Sequence, residues 1–314
     1  MRAVVVENGE LHVAPRPDPV PGDTEVLVAV RAAGLNGADM LQRSGHYPAP
    51  AGAPADILGL ELAGEVVGLG AQVRGVEHGA RVMAIVGGGA QATLAVVDAS
   101  HLVPVPDSLS WQEAGGFPEA FSTAYDALFT RAGLSVGDRL LVTGAAGGVG
   151  VAAVQLGAAA GATVVASVRE PSLREQVAAL GAAEVVGADD LASHGPYDVV
   201  LELVGAASLP QALGALATGA RVAVVGVGSG ARVELDLRTL MGARAWIGGS
   251  TLRSRSRAEK AEVSAAVRAH VLPLLAAGRV RVPVCATFPL AEAPAAYDRF
   301  TEGKKLGKVV LLTA

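Results

Sequence analysis

The first hundred residues consist of short runs in which apolar and polar positions alternate, each bounded by glycine or polar turns. Ala3–Val6, Glu25–Ala33, Gly59–Gly70, Arg81–Ile85 and Ala90–Val97 read as strands. Between the first two, Pro15–Gly22 (PRPDPVPG) is too rich in proline for a regular element. This style predicts a compact, β-rich, barrel-like unit. The period changes over Ser110–Ala132, which reads as helical from a cap at Ser110. From Arg139 the pattern becomes strand, glycine turn, helix, strand: Leu140–Val142, a helix ending near Gly161, then Thr163–Val168. A second helix is predicted from Pro171 to about Gly181. Glu184–Val186, Asp198–Leu203, Arg221–Val225 and Ala245–Ile247 are mostly continuous apolar runs, as in strands of a parallel sheet covered on both faces. Glu259–Ala277 reads as one long helix. The tail predicts strand Val282–Phe288, helix Ala291–Phe300 and strand Lys308–Leu312, in the style of the first unit. The expected class is α/β: a doubly wound parallel sheet of Rossmann type plus a β-rich domain. The division places residues 1–115, completed by 258–314, in the β-rich domain and 116–257 in the other.

Composition narrows the chemistry. With 51% hydrophobic and 18% charged residues, the 314-residue chain can bury a sizeable core. The net charge of −5 gives no reason to expect nucleic acid or an anionic membrane as partner. One cysteine, Cys285, excludes an intrachain disulfide and any metal site built from several thiolates. No charged residue occurs between Leu140 and Val168, but the glycines at 144–150 break that run into strand, turn and helix rather than a lipid span. Glu7 and Glu10 interrupt the first stretch before an apolar core could form, so the cytoplasm is the expected compartment.

The strongest motif is Val142-Thr-Gly-Ala-Ala-Gly-Gly-Val-Gly150. Against G-x-G-x-x-G it supplies Ala145, Gly147 and Gly150, with Gly148 and Val149 between, after a strand and at the opening of a helix. Glycines let backbone amides approach a pyrophosphate, and the helix N-terminus favours its charge. At the end of the next strand an acidic residue would select NAD(H). Ser167-Val168-Arg169 stands there instead, donors suited to a 2′-phosphate, so NADP(H) is expected and NAD(H) is less favoured. Glu170 follows at once, and a slip of one residue would reverse the choice. Gly205 and Gly226 each follow a strand and are candidates for the same crevice, with ordinary turns as the equal alternative.

With Gly59-Leu-Glu61-Leu-Ala-Gly64 and the glycine turn, the chain resembles the medium-chain dehydrogenase/reductase superfamily. Leu35-Asn36-Gly-Ala-Asp39, Ser44-Gly45-His46-Tyr47-Pro48, Pro118–Ala124, Thr251–Arg255 and the closing Gly307–Leu311 are similar to the zinc-independent, zeta-crystallin-like quinone oxidoreductase branch. The resemblance implies a β-rich GroES-like catalytic domain before the Rossmann unit. It also implies a homodimer through the edge strand at Ala245–Ile247, with Trp246 available to the interface. Zinc-dependent relatives carry cysteine where Asn36 stands and histidine where Leu60 stands; with those ligands gone, no zinc is expected.

Without a Lewis acid, hydride transfer to an activated acceptor is easier than alcohol oxidation. The resemblance implies an NADPH-dependent reductase of quinones or related conjugated carbonyls, acting on a small molecule. It places Asn36 as an amide donor, Tyr47 as a phenol that either donates or only shapes the pocket, and Thr123 as a hydroxyl near the nicotinamide. Asp39 is read as structural, fixing the Asn36 turn. Arg253 and Arg255 would meet cofactor phosphate or close over substrate, their alternative being a solvated basic run. Lys304 and Lys305 are weaker candidates of that kind, and Glu302–Lys308 is read as mostly surface. An enoyl (thioester) or alkenal reductase, and a non-catalytic NADPH-binding sensor or structural protein, are the alternatives.

Overall fold

The structure, a computed structural model, describes residues 1–7 and 9–313. Among these are fifteen strands: β1 (Arg2–Glu7), β2 (Glu10–Pro15), β3 (Glu25–Gly34), β4 (Glu61–Leu69), β5 (Arg81–Ile85), β6 (Leu94–Asp98), β7 (Val103–Pro104), β8 (Arg139–Val142), β9 (Thr163–Ser167), β10 (Glu184–Val186), β11 (Tyr197–Glu202), β12 (Leu216–Val224), β13 (Trp246–Gly249), β14 (Val284–Pro289) and β15 (Lys308–Leu312). They form the two units that the pattern predicts. One is a seven-stranded sheet in the order β14-β15-β3-β4-β5-β7, with β6 paired to β3, and β1 and β2 make a hairpin beside it. The other is a six-stranded parallel sheet, β10-β9-β8-β11-β12-β13, the doubly wound Rossmann order whose direction reverses between β8 and β11.

Strand β15 pairs parallel to β14 and antiparallel to β3, and on the way it touches the other sheet. The Gly307 amide donates to the Ala146 carbonyl at 2.9 Å, bridging Gly147 to Gly307. Gly307 has φ +80°, and a Cβ there would lie 2.1 Å from the Pro283 carbonyl oxygen, so only glycine fits this crossing. One hydrophobic core runs through both units, joining Ala63 and Met83 to Leu140 and Val151 through Phe117 and Phe121. Those two rings stack at 4.6 Å where the helix Pro118–Tyr125 begins, so that helix lies between the sheets.

The departures from the expected elements have local causes. Hairpin strand β2 and the short helix Gly37–Arg43 were not visible in the pattern, because neither carries a sustained apolar period. The long helix expected at Glu259–Ala277 divides into Arg257–His270 and Leu272–Ala276, since Pro273 removes an amide from the ladder. The Ser110 cap is present, its hydroxyl accepting from the Glu113 amide at 3.3 Å. The helical stretch it opens ends in a wide π-type turn at Asp126–Arg131, which carries the buried Asp126. No described helix is long and apolar enough to cross a membrane.

Candidate functional site

Three segments meet where the two sheets touch. The glycine turn leaves β8 at the point where the strand order reverses. Gly144 has φ +61°, and a Cβ on Gly150 would sit 2.4 Å from the Gly144 carbonyl oxygen. The helix Gly148–Ala159 follows with no side chain capping it and no acidic residue in its first turn. Its first amides, at Gly148, Val149 and Gly150, are thus presented to an outside anion. Ala145 is buried, its amide donating to the Ser167 carbonyl at 3.1 Å, which draws the end of β9 against the turn. A Cβ on Gly148 would lie 2.8 Å from Lys308 Cδ and 3.8 Å from Ala120 Cβ, so the turn packs on the last strand and on helix Pro118–Tyr125.

Behind the turn lies a buried ion pair. Lys308 Nζ is 2.5 Å from Glu61 Oε1 and donates to Asn36 Oδ1 at 2.6 Å and to the Leu35 carbonyl at 2.8 Å. All three ammonium protons are therefore used. Glu61 also accepts from Asn36 Nδ2 at 2.9 Å and, through its other oxygen, from the Glu119 amide at 2.8 Å. A buried pair is tolerable only with this degree of saturation.

Two further carboxyls surround it. Asp39 is fully buried and accepts from the Asn36 amide at 2.8 Å, the structural role expected of it, while its Oδ1 has no partner. Burial pushes its carboxyl up to about 7, against the Asn36 amide and Lys308 and with the charge of Glu61. Glu119 is half-buried at the start of the Pro118–Tyr125 helix. Burial and the nearby Glu61 raise it to about 7 as well. Thr123, one turn later, donates to Glu119 Oε1 over a long 3.4 Å.

Several expected site residues are engaged by other parts of the protein. Asn36 is in the cluster, but its amide is committed to Glu61 and, more weakly, to the Gly34 carbonyl at 3.4 Å, so it is not a free donor. Arg253 is buried and donates to the Gly87 and Tyr47 carbonyls and to Gln42 Oε1, with its guanidinium over the Tyr47 ring. Arg255 grips Asp126 with two bonds of 2.9 and 2.6 Å. These two arginines hold the 250–256 loop to its neighbours. Gly205 and Gly226 are required by protein packing: a Cβ on each would strike a backbone oxygen, Gly230 at 2.6 Å or Leu203 at 2.3 Å. Lys308, read as surface, is 4% exposed. The Tyr47 hydroxyl bonds Thr251 Oγ1 at 3.1 Å. Ser167 is buried at the end of β9, and Arg169 is exposed just beyond it.

Lys308, Glu61 and Glu119 carry the cluster but had no role in the motif reading. Their signal was a lone lysine opening the apolar strand KVVLL and a lone glutamate in the apolar run ILGLELAG. Single opposite charges in buried strands call for one another. The donor set does not fit a catalytic zinc. Leu60 is a buried hydrocarbon, Asn36 is committed, and an ammonium already stands against Glu61. Among the described residues no three of His, Cys, Asp and Glu are grouped to hold a metal.

Residues 22–107 match the alcohol dehydrogenase GroES-like domain, and residues 148–268 match the family described as zinc-binding dehydrogenase. The chain is 32% identical over 308 residues to a quinone oxidoreductase of Lama guanicoe, covering 94% of this chain and 90% of that protein. It is 33% identical over 303 residues to a phenolphthiocerol/phthiocerol polyketide synthase of Mycobacterium tuberculosis, covering 93% of this chain but only 14% of that much longer protein. Among solved structures, mycobacterial Rv1454c complexed with NADPH superposes with a TM-score of 0.90 at 26% identity, over 100% of both chains.

Replacing Lys308 by Met strands Glu61, Asn36 Oδ1 and the Leu35 carbonyl. A loss of about 3–5 kcal/mol in urea denaturation is expected. The double variant Lys308→Met, Glu61→Gln should recover part of it, and an additive loss would deny the coupling.

Because Asp39 and Glu119 titrate higher in the folded protein than ordinary carboxyls, the native state binds more protons than the unfolded one between about pH 4 and 7. Their contribution to stability is full at low pH and is lost as pH rises through about 7. Calorimetry should show the fall in Tm from about pH 5 to 8 flattened in Asp39→Asn; an unchanged slope would remove Asp39 from the account.

Proposed function

As the chain belongs to the medium-chain dehydrogenase/reductase superfamily, in its quinone oxidoreductase-like branch, we propose that it is a zinc-independent, NADPH-dependent reductase of quinones or related conjugated carbonyls. The observation that carries this reading is the Lys308–Glu61–Asn36 cluster, which fills the place beside the glycine turn with an internal cation and satisfied partners. Bound NADPH would supply a hydride, two electrons and one hydrogen, to the acceptor. The amides of Gly148, Val149 and Gly150 would take the pyrophosphate. Arg169, exposed beside Ser167, would take the 2′-phosphate. Glu170 does not compete, because its carboxylate caps the following turn, accepting from the Ser172 amide and hydroxyl at 3.4 and 3.0 Å. The Lys304 ammonium, 3.9 Å from Glu170, adds positive charge there. An NADPH-bearing relative supports the same choice.

The groups that could turn to an acceptor oxygen are hydroxyls: Thr123, held to Glu119 only by a long bond, and Tyr47, bonded to Thr251. Hydrogen bonds from such groups stabilise charge developing on an oxygen. Asn36 acts one step back, holding Lys308 and Glu61 in place. A small-molecule substrate, a cytoplasmic setting and a homodimer complete the proposal. For the dimer, Trp246 is 75% exposed on edge strand β13 instead of packing on its own domain, and Leu237 and Met241 on the preceding helix are exposed as well.

Similarity to a polyketide synthase supports a second reading, reduction of an enoyl thioester. The chemistry is the same hydride delivery to a conjugated acceptor, so kcat/KM across benzoquinones, alkenals and enoyl thioesters separates the two. A preference for the thioester of about a hundredfold or more would move the assignment to it. NADPH binding with no turnover of any of them would leave a nucleotide-binding protein.

Arg169→Ala should weaken NADPH binding by about 10- to 100-fold, the worth of a charged hydrogen bond, and leave NADH nearly unchanged by titration calorimetry. Equal loss for both would take Arg169 out of the phosphate site. Trp246→Glu should shift the sedimentation coefficient from dimer to monomer; an unmoved dimer would place the interface elsewhere.

A further inference from the structure

Resting on the reading above that hydride goes to a conjugated acceptor, we propose that Glu119 stores the proton of the reaction and delivers it to the acceptor through the hydroxyl of Thr123. Both residues lie on the helix Pro118–Tyr125, four positions apart and so on one face, with Thr123 Oγ1 3.4 Å from Glu119 Oε1. The same helix packs beside the glycine turn, Ala120 lying 3.8 Å from where a Gly148 Cβ would be. The relay therefore ends next to the segment that would hold the dinucleotide.

The charges around Glu119 explain why it holds a proton. Three carboxyls, Asp39, Glu61 and Glu119, surround a single ammonium, Lys308, and that ammonium is already bonded to Glu61. The remaining cations are Arg253, whose guanidinium is committed to Gly87, Tyr47 and Gln42, and Lys260. A second carboxylate charge beside Glu61 is opposed by both repulsion and burial, which set Glu119 near neutrality, the range that suits a general acid. Asp39 shares the cluster and the elevated proton affinity, but it is sealed behind the Asn36 amide with no exposed surface. Glu119 keeps some exposure. That exposure lets water restore the proton, and the Lys260 side chain that feels its charge lines an open cleft of about 440 Å³ with Gly87, His101 and Ser254.

The proton balance closes. The acceptor gains a hydride and is reduced by two electrons as the reduced dinucleotide is oxidised. Thr123 then gives its hydroxyl proton to the acceptor oxygen, while the carboxyl O–H of Glu119 breaks and reforms the Thr123 hydroxyl. The Glu119 carboxylate recovers a proton from water after product leaves. The side chain is dispensable for folding in one respect: the bond to Glu61 is made by the Glu119 backbone amide, so Glu119→Gln keeps it.

Two measurements test the assignment. In the protein without added nucleotide, infrared titration should show two protonated carboxyls that ionise at about pH 7, one of them lost in Glu119→Gln and the other in Asp39→Asn. In turnover of a benzoquinone or alkenal with NADPH, wild-type kcat/KM should fall about tenfold per pH unit above about 7. Glu119→Gln should be about a hundredfold slower at pH 6 and flat across that range, with Thr123→Val matching it and acetate partly restoring Glu119→Ala. A Glu119→Gln enzyme that keeps the alkaline fall, or the wild-type rate, overturns the proton assignment alone. An infrared spectrum without the Glu119 carboxyl also overturns it. Absence of turnover with every acceptor overturns the reductase reading, and proton delivery with it.

Discussion

The Lys308–Glu61 ion pair is the constraint around which the two halves of this chain are arranged. Lys308 opens the last strand, Glu61 opens β4, Asn36 starts the short helix after β3, and the Glu119 amide belongs to the helix between the sheets. Four segments distant in sequence thus converge on one buried charge pair. Removing either charge leaves the other in a low-dielectric site, which is why the surrounding donors and acceptors are saturated. The strand that carries Lys308 can reach this position only because Gly307, in a left-handed conformation, lets it pass the Pro283 carbonyl while bonding to the glycine turn. Domain contact and cleft chemistry are consequently built from the same atoms.

Much of the fold was legible because it rests on periodicity. Strands β5, β10 and β15 begin and end where alternation or apolar runs begin and end, and the glycine turn announces the doubly wound sheet. The site was legible only where glycine or a motif marks it. Thr123 bonds Glu119 beside the ion pair, and Gly147 to Gly150 form the uncapped turn. Arg253 shows why the rest was hidden. A basic run before a helix cannot reveal whether its guanidiniums face solvent, phosphate or the backbone of a distant loop. Here they face Gly87, Tyr47 and Asp126, contacts separated from the arginines by more than a hundred positions. Asn36 shows the converse: its proximity was anticipated, but its free donors were not available once Lys308 and Glu61 had claimed both ends of the amide.

The arginines change what the 250–256 loop can be. Arg253 ties it to the loop carrying Tyr47, and Arg255 ties it to the π-type turn through Asp126, whose carboxyl is held below the usual carboxylate range, against its burial, by that guanidinium. The Tyr47 hydroxyl also bonds Thr251 in the same segment. Tyr47 is therefore held by two contacts to a segment that is itself anchored to the π-type turn. A phenol fixed in this way can shape an acceptor pocket without losing much rotamer entropy on binding.

The polarity of the cluster favours reduction over oxidation. Oxidising an alcohol requires its hydroxyl proton to leave, which a Lewis acid assists by stabilising the alkoxide. The cation at this site cannot take that part, since each of its three donors already has a protein acceptor at 2.5–2.8 Å. The groups that remain, two hydroxyls and a carboxyl near neutrality, are suited to meeting an oxygen that becomes more basic as it receives a hydride. A site that commits its cation to its own architecture is left with proton donors, and under the proposed function these would serve an acceptor that is already electrophilic before it binds.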